Sequence, residues 1–217
     1  MSRIAIVGGH GKVARHVITQ LVTHGHQPVA LVRNPTYQHD LEQLGAHVRM
    51  LDIEQDSVEH YAAAFNDCDA VVFAAGGGPD GNIERKRTVD LGGSLASIEA
   101  AQQVGIDRFV QISAIGVDRP VPHGAEPVWK AYVEAKRDAD IALRESGLDW
   151  TILRPGRLTD DEGTGLVTLG DTVERGEIPR ADVAAVVVAA LDDPNAIGRQ
   201  WDVVGGQTPV DEAVASA

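Results

Sequence analysis

The sequence predicts an α/β domain, a doubly wound parallel sheet with helices on both faces. Short apolar runs bounded by glycine, proline or acids recur from Arg3 to Val204, as the buried strands of a parallel sheet do. Segments with apolar residues at helical spacing lie between them, so strand and helix alternate along the chain. No internal repeat interrupts that alternation. At 217 residues, 43% of them hydrophobic, the chain suits one domain with a substantial core. We read 1–217 as that domain, with 157–217 forming a small C-terminal elaboration.

The first element is RIAIV, Arg3 to Val7, followed at once by Gly8-Gly9-His10-Gly11-Lys12-Val13-Ala14. Val13, Val17 and Leu21 then recur every four residues, which is one face of a helix. Gly8, Gly11 and Ala14 carry the G-x-x-G-x-x-[GA] spacing of a dinucleotide fingerprint. In that pattern Gly8 permits the tight turn and Gly11 lets backbone approach a pyrophosphate. Ala14 lets helix pack on strand. The free N–H groups and positive dipole end of the helix complete an anion site.

Pro28–Val32 reads as the second strand, ending at Arg33. An acid at this tip would hydrogen-bond the ribose 2′-hydroxyl of NAD; a guanidinium suits a 2′-phosphate. Arg33 therefore points to NADP over NAD. Residues 38–44 suggest a short helix, and Val48–Leu51 a third strand ending at Asp52. Asp52 is placed either to reach an adenine amino group or to cap a helix beginning near Glu54. A fourth strand, 69–75, closes on Gly76-Gly77-Gly78, where open backbone groups suit a flat ligand. Residues 84–104 read as one long helix, in which Gly92-Gly93 implies close packing. Phe109–Ile112 is a fifth strand running into Ser113. The loop Gly116–Pro127 is the expected lid, with His123 in it. Residues 128–146 form a helix and Trp150–Leu153 a sixth strand, ending in Arg154-Pro155-Gly156. We expect 157–178 to be irregular, 182–191 to be an apolar helix, Trp201–Val204 a last strand, and 211–217 a frayed tail.

Composition narrows the function classes. A net charge of −13 opposes broad contact with nucleic acid or anionic membrane. Cys68 is the only cysteine, so no disulfide framework is possible within the chain, and a cytoplasmic location is expected. The start of the chain has no signal-peptide pattern, and the longest apolar run, Val183–Leu191, is too short to span a bilayer. His24 and His26 around Gly25 are too sparse for a metal centre, and Asp160-Asp161-Glu162 reads as a solvated acidic loop. The lysines are Lys12, Lys86, Lys130 and Lys136.

Tyr132 and Lys136 lie four apart on one helix and share a face. A nearby ammonium favours phenolate, which would let Tyr132 exchange a proton with a carbonyl or alcohol oxygen. Ser113 is placed to hold the same oxygen, and Lys136 to hold a ribose.

Taken together, IVGGHGKVA at 6–14, LVRNP at 31–35, VVFAAGGG at 71–78, RFVQISA at 108–114, YVEAK at 132–136, SGLDWTILRPGRL at 146–158 and RADVAAVVVAAL at 180–191 resemble the atypical short-chain dehydrogenase/reductase superfamily. Within it, the chain is similar to single-domain NAD(P)H-binding proteins related to flavin reductase/biliverdin reductase B and to negative-transcriptional-regulator-type proteins. The resemblance implies a Rossmann core with Gly8, His10, Gly11, Lys12 and Val13 along the pyrophosphate, Arg33 at the 2′-phosphate and Asp52 near adenine. It implies Ala74, Ala75 and Gly76 on the adenosine side, Pro155 by the nicotinamide, and Ser113, Tyr132 and Lys136 as the catalytic set. The function expected is an NADP(H)-dependent oxidoreductase passing hydride to a small carbonyl, quinone or flavin-like acceptor, as a monomer or homodimer. The alternatives are a non-catalytic NADP(H)-sensing protein and a nucleotide-sugar epimerase/dehydratase. About sixty residues after Pro155 are few for the substrate domain of the latter.

Overall fold

The computed structural model describes residues 1–78 and 81–217. Nine strands form one sheet in the order β11 (Thr208–Pro209), β8 (Leu166–Gly170), β10 (Arg199–Gly205), β6 (Asp149–Pro155), β5 (Arg108–Ile112), β4 (Ala70–Phe73), β1 (Arg3–Val7), β2 (Gln27–Val32) and β3 (His47–Met50). β1 (Arg3–Val7) pairs in parallel with both β2 (Gln27–Val32) and β4 (Ala70–Phe73). The chain therefore winds outward from β1 to β3 (His47–Met50) and then returns to wind the other way. That return leads through β5 (Arg108–Ile112) and β6 (Asp149–Pro155) to β10 (Arg199–Gly205). The reversal between β1 and β4 opens a crevice at the carboxyl ends of these two strands, where ligands of such sheets bind.

Both faces are covered because the pleat divides each strand between two cores. In β1, Ile4 and Ile6 join one cluster and Ala5 and Val7 the other. On the first face lie α1 (Lys12–Thr23), α2 (Gln38–Gln43), α7 (Arg180–Asp192) and α8 (Val210–Ser216); on the second, α3 (Val58–Phe65), α5 (Gly93–Val104) and α6 (Pro127–Glu145). The apolar stripe of α1 predicted from spacing is the buried one: Val13, Val17 and Leu21 are in the core.

Four expectations change. The region 157–178 is not irregular: β7 (Arg157–Thr159) pairs with β9 (Glu177–Pro179), and β8 (Leu166–Gly170) joins the main sheet. β8 runs antiparallel to β10 and to β11 (Thr208–Pro209), so the sheet is parallel only up to that edge. The tail is α8, because Val210, Ala213 and Val214 fall at helical spacing and are buried. The helix after β4 is interrupted: a helical turn, α4 (Ile83–Arg85), leads into a π-helical segment, Lys86–Gly92, before α5. The helix near Glu54 is only a turn; α3 begins at Val58. Gly93 does mark close packing, since a Cβ there would strike Ile53.

Candidate functional site

The turn after β1 is built for a close approach. Gly8 has φ +80, and a Cβ there would sit 2.9 Å from Cα of Ala75. A Cβ on Gly9 would sit 2.7 Å from that of Ala30. Gly11 is the N-cap of α1 and offers no side chain, so the first-turn amides of Lys12 and Val13 keep no side-chain acceptor. Such an arrangement fits a diphosphate: bare amides, a dipole end and no Cβ in the way. Lys12 leans from this turn to Asp160 at 2.5 Å, and Asp160 also accepts from Nη1 of Arg180 at 2.7 Å.

On one side of the turn is a pocket of about 230 Å³. His10 stacks on Tyr37 there, with ring centroids 3.5 Å apart and planes within 4°. Burial, reinforced by Arg15, lowers the His10 pKa and favours the neutral ring. Arg33 lines the pocket and stands half exposed, its Nη1 3.3 Å from Oε2 of Glu54. Glu54 also receives the hydroxyl of Thr88 at 2.8 Å and lies 3.5 Å from Nε of Arg85. Asp52 borders the same pocket, and its Oδ1 accepts the Glu54 amide at 3.0 Å, so it caps this turn.

Ala74, Ala75 and Gly76 form a wall shared by this pocket and a larger cavity of about 670 Å³. Val13, Ser113, Tyr132 and Lys136 all line the larger one, so the structure gathers the sequence-predicted set. Lys136 spans the tips of β4 and β5. Its Nζ donates to the carbonyls of Ile112 at 3.1 Å and Ala75 at 3.4 Å, and lies 3.3 Å from Oδ1 of Asp90. The other Asp90 oxygen accepts the Gly77 amide at 2.8 Å.

Tyr132 departs from expectation in its electrostatics. Burial pushes its phenol up, and Asp90 and Asp140 push it further, rather than an ammonium drawing it down. Lys136, 3.3 Å from Asp90, is not among the groups that act on the phenol. Ser113, on the same cavity, donates its hydroxyl to Oδ2 of Asp140 at 2.8 Å. Pro155 borders an adjoining cavity of about 490 Å³ that also reaches Ser113 and Tyr132.

Sequence reasoning missed Tyr37, Glu54, Lys86 and Asp90. Only the scarcity of lysine hinted at Lys86. The tips of the second and third strands drew attention to Arg33 and Asp52 but not to Tyr37, four residues past Arg33.

No helix among the described residues is long and apolar enough to cross a membrane. A family model described as NAD(P)H-binding matches residues 8–194. The chain is 37% identical to the Bacillus subtilis protein named uncharacterized sugar epimerase YhfK, over 98% of both. A solved structure from Bacillus halodurans, provisionally named an NAD-dependent epimerase/dehydratase, superposes with TM-score 0.92 at 37% identity, covering 100% of both chains. The oxidoreductase ylbE from Lactococcus lactis gives TM-score 0.84 at 28% identity, covering 99% of this chain and 95% of that one. Glycine turn, reversed winding and shared crevice thus meet in one Rossmann-type fold, and the chain belongs to the NAD(P)H-binding family.

Proposed function

We propose that this protein is an NADP(H)-dependent reductase of a small carbonyl, quinone or flavin-like acceptor. The observation that carries it is the convergence of Ser113, Tyr132 and Lys136 on a cavity that shares the Ala74–Gly76 wall with the nucleotide pocket. NADPH bound there supplies a hydride from its nicotinamide. The protein's part is to place and protonate. Tyr132 carries its proton at neutral pH and lines the cavity, so it is the donor placed to protonate an oxygen being reduced there. Lys136, tied to both strand tips and paired with Asp90, fixes the cavity floor, and meets a ribose by exchanging one of these contacts. Ser113 spends its one proton on Asp140 and so presents lone pairs to the cavity.

The test is to mix the protein with NADPH and a panel of quinones, flavins and aldehydes and follow nicotinamide absorbance. Turnover is expected with at least one acceptor, and Tyr132→Phe should slow it about a hundredfold or more. A Phe variant with full turnover removes Tyr132 from the chemistry. Binding without oxidation by any acceptor favours a sensor.

Selection of NADP rests on Arg33 at the tip of β2. One of its nitrogens engages Glu54, and half of the side chain faces solvent, where a 2′-phosphate would be met by the remaining donors. Arg33→Ala should weaken NADP binding about tenfold and leave NAD binding unchanged. Calorimetric titration of both nucleotides checks this; equal losses would deny Arg33 a selective role.

A further inference from the structure

The chain has four lysines against thirty-two acids. Two of those lysines, Lys86 and Lys136, are each 5% exposed, and both line the 670 Å³ cavity. An ammonium taken out of water costs several kcal/mol, roughly, unless a counter-charge meets it. Lys136 has one in Asp90. Lys86 has none among the described residues: its Nζ donates to the carbonyl of Gly78 and stands 5.9 Å from the centre of the Tyr132 ring. The π-helical segment turns it inward, since Lys86, Val89 and Asp90 are its buried residues. Such segments recur at functional sites.

Around this cation the cavity is largely apolar, with Val128, Leu158 and Trp129 on its walls, Trp129 being 45% exposed at the mouth. Exposed Glu126 lies at the outer rim. The adjoining cavity is lined by Arg157, Arg175 and Arg180, of which Arg157 pairs with Glu177 and Arg180 with Asp160. Lys86 does not line the nucleotide pocket, so its position does not serve the adenosine end.

We propose that Lys86 anchors a carboxylate on the substrate, and that the acceptor is a small organic acid with a planar, apolar body seated against Trp129 and Leu158. This deepens the reading above and rests on it for calling the cavity the substrate's. An oxyanion on Lys86 supplies the counter-charge that no described residue gives, in a site of low dielectric, where a charge-assisted bond is strongest.

The experiment titrates 2-naphthoate and its neutral isostere 2-naphthamide into the protein by calorimetry, with NADP titrated separately. The wild type is expected to bind the acid at least about tenfold tighter than the amide. Lys86→Met should erase that preference, leaving amide and NADP affinities within about twofold. Lys86→Gln serves as a second variant, and thermal melts check that both fold. Should neither variant fold, the acid-to-amide ratio of the wild type decides. Equal affinities, or binding of neither probe, overturn the proposal. So does a Lys86→Met protein that loses NADP in parallel with the acid, which would give the ammonium to the nucleotide's phosphates. If the wild type binds no NADP, the reductase reading falls while the naphthoate comparison still judges Lys86.

Discussion

Arg154→Ala is expected to destabilise the fold by about 3–5 kcal/mol, because it strands a buried carboxylate. Arg154 is 4% exposed. Its Nε and Nη2 donate to Oδ2 of Asp140 at 2.9 and 2.7 Å, and its two outer nitrogens hold Asp118 in the loop after β5. Asp140 has no exposure at all, and also accepts from Gln111 and Ser113, each at 2.8 Å. Burial already pushes the Asp140 carboxyl above its ordinary range; Arg154 is first among the groups that pull it back. A carboxyl whose folded pKa exceeds its unfolded value, about 4, favours the fold most in acid. That contribution is lost as pH rises through the folded value. Without Arg154 the folded value climbs further, so the penalty should be larger at pH 7 than at pH 5. Urea denaturation at both pH values measures it. A loss below about 1 kcal/mol, or one unchanged by pH, contradicts the stranded carboxylate. Pairing Arg154→Met with Asp140→Leu should recover most of the loss, since no charge is then left alone. The recovered protein would still have a freed Ser113 and an untethered Asp118, which separates stability from catalysis.

That network also marks where the sequence stops being legible. β1, the glycine turn and α1 follow from residues adjacent in the chain, and they appear where spacing puts them. Tyr132 and Lys136 share a helix face for the same local reason. The partners that decide their chemistry are remote: Asp90 reaches Lys136 from the π segment, and Asp118 and Asp140 meet on Arg154 only once β6 is laid beside β5. Hence the direction of the Tyr132 shift was not readable, whereas its position was. The short strands of 157–179 escaped for a related cause. Each is three to five residues long and is defined by its partner strand rather than by its own alternation. α8 is different: Val210, Ala213 and Val214 carried a helical signal, and the acidic residues between them masked it.

Gly8→Ala is expected to cut NADP affinity roughly a hundredfold, about 2.7 kcal/mol, while costing the fold about 1–2 kcal/mol. Two separate effects make up this result, and Gly25 divides them. Gly8 and Gly25 have nearly the same left-handed backbone, φ +80 and +79. A methyl on Gly25 would meet nothing within 4 Å, whereas one on Gly8 would stand 2.9 Å from both Cα and Cβ of Ala75. Gly25→Ala should therefore pay the backbone cost alone and bind NADP as the parent does. Gly8→Ala must also part the glycine turn from the end of β4, and Ala75 belongs to the wall that both pockets share. The amides of the first turn of α1 would move with the turn, away from the diphosphate they are placed to meet. Nucleotide titrations and urea melts on the two variants give both quantities. If Gly8→Ala binds NADP as Gly25→Ala does, the close approach of turn to strand is a packing feature and the diphosphate lies elsewhere. If only Gly8→Ala loses affinity at matched stability, the narrow seam between β1 and β4 is what recognises the nucleotide.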